Sequence, residues 1–316
     1  MKNINLVYLS AILLITSFQP GTAEAQRIKK NVKRILFLGN SITYDGRYVT
    51  DIEAWFIARY PKRNIEFINA GLPSETVSGL SEDGHADGKF PRPDLHERLA
   101  RVLAQTKPDL VLASYGMNDG IYKPFDETRF QKYKNGINRL HDEVLKSGAE
   151  IVHLSPPVYD EQKGQNNGYS AVLDRYSDWL LSMRKAEGWK VADVHFPMKI
   201  YLQQKRITEP DFYLAADGVH PDDTGHWIMA KQILRYFKQK QVSRAESIDD
   251  ALKAYLNGKE ILRLTAERQN SMKDAWLTAT GHKRPGMNRG IPMAQARLKA
   301  DSINNWINLL RTRKRY

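Results

Sequence analysis

The feature that most constrains this chain is a series of short apolar runs separated by amphipathic stretches of helix length. Ile35-Leu36-Phe37-Leu38 is continuous rather than alternating, so it reads as a strand covered on both faces. Residues 65–69, 109–113, 150–154 and 189–194 supply four further strands. Helices are expected over residues 49–60, stopped by Pro61, and over 94–105, opened by Asp94. Two more are expected over 130–146, ending before Gly148, and over 169–186, with Gly188 beyond the end. A last helix over 224–238 follows a loop that runs through Pro210. Strands alternating with helices in this way define an α/β layer fold with a mainly parallel five-stranded sheet. Ligands of such sheets bind beyond the carboxyl ends of the strands.

The chain divides into three parts. Residues 1–25 read as an export signal: Lys2 gives a positive start, residues 4–15 are nearly all apolar, and Ala23-Glu24-Ala25 fits a small-x-small cleavage site. An apolar run of about a dozen residues is too short to cross a bilayer comfortably. Cleavage near Gln26 is therefore expected, with a periplasmic or extracellular location and no transmembrane segment left after signal removal. Residues 26–240 form the α/β domain. Residues 241–316 are mostly helical by pattern, broken at 281–292, and are expected to pack on the main domain as an appendage, a lid or a polysaccharide-facing surface. Cysteine is absent, which excludes disulfides and a cysteine-linked lipid anchor. The chain carries 48 Lys+Arg against 36 Asp+Glu, a net +12, and residues 245–316 hold 14 basic groups against 7 acidic ones. That balance fits acidic polymers or membranes as neighbours. No zinc-finger spacing or other nucleic-acid motif accompanies it, so no nucleic-acid partner is expected.

Three polar features fall just past strand ends. Ser41 lies in Leu38-Gly39-Asn40-Ser41-Ile42-Thr43, Gly71 follows the second strand, and Gly116-Met117-Asn118-Asp119 follows the third. A neutral serine oxygen is a poor nucleophile and needs a base. His220, in Asp217-Gly218-Val219-His220-Pro221, is the candidate, because imidazole accepts and returns a proton near neutral pH. Asp217, three residues earlier in a turn, has the spacing to reach its Nδ1–H and fix the tautomer. The Ser41 and Gly71 backbone N–H groups and the Asn118 amide would meet a tetrahedral oxyanion. Blander readings compete: Gly and Asn make Ser41 an ordinary turn residue, Asn118-Asp119 an Asx turn and Asp217 a local cap. Asp217, His220, Asp222, Asp223 and His226 also crowd one segment, though without a recognised metal-ligand spacing.

With these residues in place the chain resembles the SGNH hydrolase superfamily, also called GDSL esterases or lipases. Gly39-Asn40-Ser41-Ile42-Thr43 matches the first family block, Asn69-Ala70-Gly71 the second, Gly116-Met117-Asn118-Asp119 the third, and Asp217-Gly218-Val219-His220 the fifth. The resemblance spans roughly residues 33–237 and departs at Asn40, where the family usually has Asp. It implies a flavodoxin-like three-layer α/β/α sandwich. It also implies ester hydrolysis by Ser41, His220 and Asp217, with Ser41, Gly71 and Asn118 as the oxyanion hole and neither metal nor organic cofactor.

The expected substrate is an acylated small molecule or polysaccharide, most simply an O-acetylated carbohydrate, because residues 81–88 and 159–168 are polar loops. A lipase would show an apolar acyl groove. Lipid or lysophospholipid hydrolysis is the alternative, and an inert glycan-binding module a second. Candidate substrate contacts are Asn40, His85, Tyr115 and Asp119, with Tyr122, Tyr159 and Trp227 as nearby aromatics and Arg92 suited to an acidic sugar. His153 and His195 are read as structural.

Overall fold

A computed structural model describes residues 26–312 of the chain. The expected export signal and residues 313–316 lie outside the described residues. The sheet has five strands, β1 (Arg34–Gly39), β2 (Glu66–Asn69), β3 (Leu110–Ser114), β4 (Glu150–Leu154) and β5 (Val191–Ala192). All pairings are parallel, in the order β2-β1-β3-β4-β5. Ile35, Leu36, Phe37 and Leu38 are each 0% exposed, so the unbroken apolar run does reflect burial on both faces. Strand order reverses direction beside β1, and in sheets of this order the crevice for a ligand opens between β1 and β3. Ser41 follows β1 by two residues and Asn118 follows β3 by four.

The helices are α1 (Ser41–Asp45), α2 (Arg47–Arg59), α3 (Leu95–Thr106), α4 (Glu127–Lys146), α5 (Tyr169–Ala186), α6 (His195–Thr208) and α7 (Asp223–Tyr236), followed by α8 (Ile248–Leu252), α9 (Gly258–Thr280) and α10 (Met293–Thr312). They cover both faces of the sheet, completing a three-layer α/β/α sandwich. Among the described residues no helix is long and apolar enough to cross a membrane.

Two elements differ from the sequence expectation. The final strand shrinks to Val191–Ala192: the Trp189 N–H is donated to the Met183 carbonyl at 3.2 Å instead of to β4, and its ring stacks at 4.0 Å on His141. The segment read as a loop before Pro210 contains α6. Pro197 masks it, yet a proline in the first turn leaves the helical ladder intact. His195, Met198 and Leu202 are its buried residues, spaced as one face of a helix requires. His195 is a structural residue: its ring bridges Asp174 Oδ1 at 2.8 Å and the Pro156 carbonyl at 3.0 Å.

Helix α9 is built into the body of the protein. It packs on α2 and on β2, the edge strand. Gln269 donates to the Phe67 carbonyl at 3.0 Å and to Glu53 at 2.6 Å, and Arg268 pairs with Glu53 at 2.6 Å. An open strand edge is a template for unwanted pairing, and α9 occupies that place. Trp276 of α9 is 4% exposed and belongs to the same apolar core as the sheet. Trp276→Ala is expected to lower the stability of the whole protein by about 3–5 kcal/mol in urea titrations followed by circular dichroism. An unchanged main transition would show α9 to be a separable appendage.

Candidate active site

Asn40 starts α1. Its side-chain Oδ1 accepts the Ile42 N–H at 3.1 Å, an N-cap that turns the chain sharply after β1 and sets Ser41 at the first helical position. That acceptor is what the residue before the nucleophile provides locally, and an amide provides it as a carboxylate would. Asn40 is 3% exposed, so it shapes the turn rather than meeting substrate. The Ser41 N–H is one of the first N–H groups of α1, which have no partner inside the helix.

The His220 loop reaches Ser41 from 179 residues away. Gly218, at φ +81°, permits the turn. Asp217 Oδ1 accepts the backbone N–H of Val219 at 2.9 Å and of His220 at 2.8 Å, while Oδ2 lies 2.6 Å from His220 Nδ1. Burial alone would raise the Asp217 carboxyl, but hydrogen bonds from the His220 ring and from both backbone N–H groups outweigh it and hold it below the usual carboxylate range. With Nδ1–H given to Asp217, His220 Nε2 is free to accept, and it stands 2.8 Å from Ser41 Oγ. The side chains of Asp217 and His220 are about half exposed, 55% and 51%, so the line is open to solvent.

Arg47 fastens the two segments together, and sequence reasoning overlooked it. From the first turn of α2 it donates to Asp45 at the end of the Ser41 helix at 2.8 Å. It also donates to the Pro221 carbonyl and to Asp223 in the His220 segment, both at 2.7 Å. The crowd of acids and histidines after Asp217 is thereby dispersed. Asp222 caps α7 through the Gly225 N–H, and His226 Nδ1 accepts the Tyr48 N–H at 3.3 Å. Burial pulls the His226 pKa down to about 4, which fits an imidazole serving as a neutral acceptor.

The third side of the site comes from the segments after β2 and β3. Gly71 is required by close approach, since a Cβ there would lie 2.3 Å from the Tyr44 nitrogen of α1. Its N–H is donated to Asn69 Oδ1 at 2.9 Å, and Asn69 Nδ2 in turn donates to the Thr43 carbonyl at 2.6 Å. Asn69 therefore ties Gly71 to α1, and the Gly71 N–H is already engaged rather than free as the sequence suggested. Asn118 Nδ2 donates to the Glu75 carbonyl at 3.1 Å, and Tyr122 OH donates to Asn118 Oδ1 at 3.0 Å. The amide is held from both ends, and its second N–H remains.

Besides Asn40, two expected substrate contacts are corrected. Tyr115 is 1% exposed, and its hydroxyl donates to Glu75, which also takes two hydrogen bonds from the buried Arg98 guanidinium. Asp119 is 0% exposed and accepts the N–H groups of Val77, Ser78 and Gly116 at 2.8–2.9 Å. Both residues build the floor of the site and touch no solvent. Tyr159 and Trp227, each 2% exposed, likewise offer no sugar platform. Arg92, expected to suit an acidic sugar, is already committed: it forms a two-pronged pair with Glu82 at 2.6 Å and lies over the Tyr122 ring at 5.3 Å. His85 remains near the surface of the same loop, with Nδ1 3.4 Å from Glu82.

Residues 37–228 match the model of the GDSL-like Lipase/Acylhydrolase family. An acetylxylan esterase of Geobacillus stearothermophilus is 26% identical over 225 residues, covering 64% of this chain and 93% of that protein. The crystal structure of a catalytic mutant of Axe2, an acetylxylan esterase from the same organism, superposes with a TM-score of 0.53 at 22% identity, covering 67% of this chain and 96% of that one. The chain spans about half (49%) of a further matched structure, BT4096, a gut microbial diltiazem-metabolizing enzyme, with 69% of this chain covered, 23% identity and a TM-score of 0.49. The chain belongs to the GDSL-like lipase/acylhydrolase family, and it is a carboxylic ester hydrolase.

Tyr122→Phe removes the hydroxyl that orients the Asn118 amide. A few-fold to about tenfold loss of kcat on p-nitrophenyl acetate is expected, smaller than the loss from deleting an oxyanion donor outright, with KM and melting temperature nearly unchanged. A change confined to melting temperature would assign Tyr122 to packing alone.

Proposed function

We propose that this protein is a serine esterase that removes O-acetyl groups from a carbohydrate. The observation that carries the reading is the unbroken line Asp217–His220–Ser41, at 2.6 and 2.8 Å, at the open carboxyl edge of the sheet. His220 takes the Ser41 proton as Oγ attacks the acetyl carbonyl, and Asp217 holds the imidazolium that results. The oxyanion rests on the Ser41 N–H and the free N–H of Asn118. His220 then protonates the departing sugar oxygen, and the acetyl group stays on Ser41. Water, deprotonated by the same imidazole, releases acetate and restores Ser41.

The half-exposed His220 and Asp217 suit a substrate that is part of a larger polar chain and only needs to lay one ester against the serine. The acetylxylan esterase relative supports the same substrate class. Hydrolysis of long-chain lipid esters is less well supported. The loop after β3 and the His220 loop bring the polar side chains of Asn118, Asp217 and His220 to this edge of the sheet, where an acyl chain would need an apolar groove.

Wild-type protein is expected to release acetate from acetylated xylo-oligosaccharides and to prefer p-nitrophenyl acetate over octanoate. Asp217→Asn should lower kcat by up to about 10⁴-fold while leaving KM within a few-fold. A preference for long acyl chains, or an Asp217→Asn variant of wild-type activity, contradicts the proposal.

A further inference from the structure

The C-terminal segment between α9 and α10 reaches the rim of the catalytic site. Tyr44 lies one turn after Ser41 on α1, on the same face. Its hydroxyl donates to Asp274 of α9 at 2.7 Å, and Lys273 lies over its ring at 4.5 Å. Arg284, in the linker that follows α9, sits close enough to Tyr44 to influence it electrostatically, and its guanidinium lies 5.0 Å from the centre of the Phe90 ring. His85 packs edge-on against the same ring at 5.3 Å. Phe90 thus joins the polar loop of residues 79–93 to the C-terminal linker, beside the helix that carries the nucleophile.

Among the described residues Arg284 lacks the counter-charge that a half-buried guanidinium ordinarily finds. Nη1 is committed to the Pro285 carbonyl at 2.9 Å and the Met287 sulfur at 3.2 Å. Nε is buried with no hydrogen-bond partner. The neighbouring carboxylates are engaged elsewhere: Glu82 holds Arg92, Asp274 holds the Tyr44 hydroxyl, and Glu97 holds Arg101. An uncompensated guanidinium in a half-buried place is costly unless something completes it. The Nε/Nη2 edge of an arginine matches the two oxygens of a carboxylate.

We propose that Arg284, seated on Phe90 beside the polar loop, forms a subsite for a carboxylate of the substrate, so that the preferred glycan carries uronic acid residues near the acetylated sugar. This rests on the carbohydrate reading of the Ser41 site, and it gives residues 281–292, which lie beyond the family match, a part in choosing substrate.

The test is direct binding. Trigalacturonate and xylotriose are titrated calorimetrically into full-length Ser41→Ala protein, with and without Arg284→Ala or Arg284→Lys. Trigalacturonate is expected to bind more tightly than xylotriose, and Arg284→Ala to weaken it at least tenfold while leaving xylotriose unchanged. Arg284→Lys should recover part of the loss. Equal binding of the two sugars, equal loss of both in Arg284→Ala, or no binding of trigalacturonate overturns the subsite. Hydrolysis of p-nitrophenyl acetate and acetylated xylo-oligosaccharides by protein with Ser41 intact tests the parent reading separately, because Arg284→Ala is expected to leave both rates unchanged.

Discussion

One imidazole joins two segments 179 residues apart, and the proposed chemistry depends on its staying there. His220 takes its orientation from Asp217 on one side and offers its other nitrogen to Ser41. Neither contact could persist if the two loops drifted. Arg47 prevents that drift by binding Asp45 after Ser41 and the Pro221 carbonyl and Asp223 after His220. The half-exposed carboxylate and imidazole lose strength to solvent screening. The geometry therefore relies on local turns and the Arg47 clamp more than on a low-dielectric interior.

The sheet supplies the other half of the arrangement. Parallel strands buried on both faces place every loop of one edge in the same region, and the β1/β3 crevice lies where the strand order reverses. Ser41 and Asn118 flank that crevice. Beneath them a buried polar layer keeps the loops in place: Arg98 and Tyr115 on Glu75, and three backbone N–H groups on Asp119. A buried pair of this kind is strongly destabilising to break. Its members are silent in chemistry yet determine where the Glu75 carbonyl and the Asn118 amide stand.

Much of this was legible in the chain. The strands betrayed themselves by unbroken apolar runs, and residues 150–154 and 169–186 were read with the boundaries the structure shows. Ser41, Asp217 and His220 were legible because each has a local partner pattern: a capping Asn40, an acid three residues before a histidine, a glycine at the turn. Other features were hidden for physical reasons. Helix α6 was obscured by Pro197, although its buried residues keep helical spacing. Tyr115 and Asp119 looked like substrate contacts because polar residues after a strand end can point up to solvent or down into the layer below, and periodicity does not distinguish the two. Arg47 and Asn69 act through partners distant in sequence, which no local pattern announces. The integration of α9 into the sheet edge depends on Gln269 and Arg268 meeting Phe67 and Glu53, again a long-range fact.

The most direct test of the account is covalent labelling of the intact protein with a fluorophosphonate, followed by mass mapping of the modified peptide. The account predicts a single adduct, on Ser41, formed at a rate that drops sharply when Asp217 is replaced by asparagine. An adduct on a different serine, or persistent acetate release by protein whose Ser41 remains unlabelled, would contradict it.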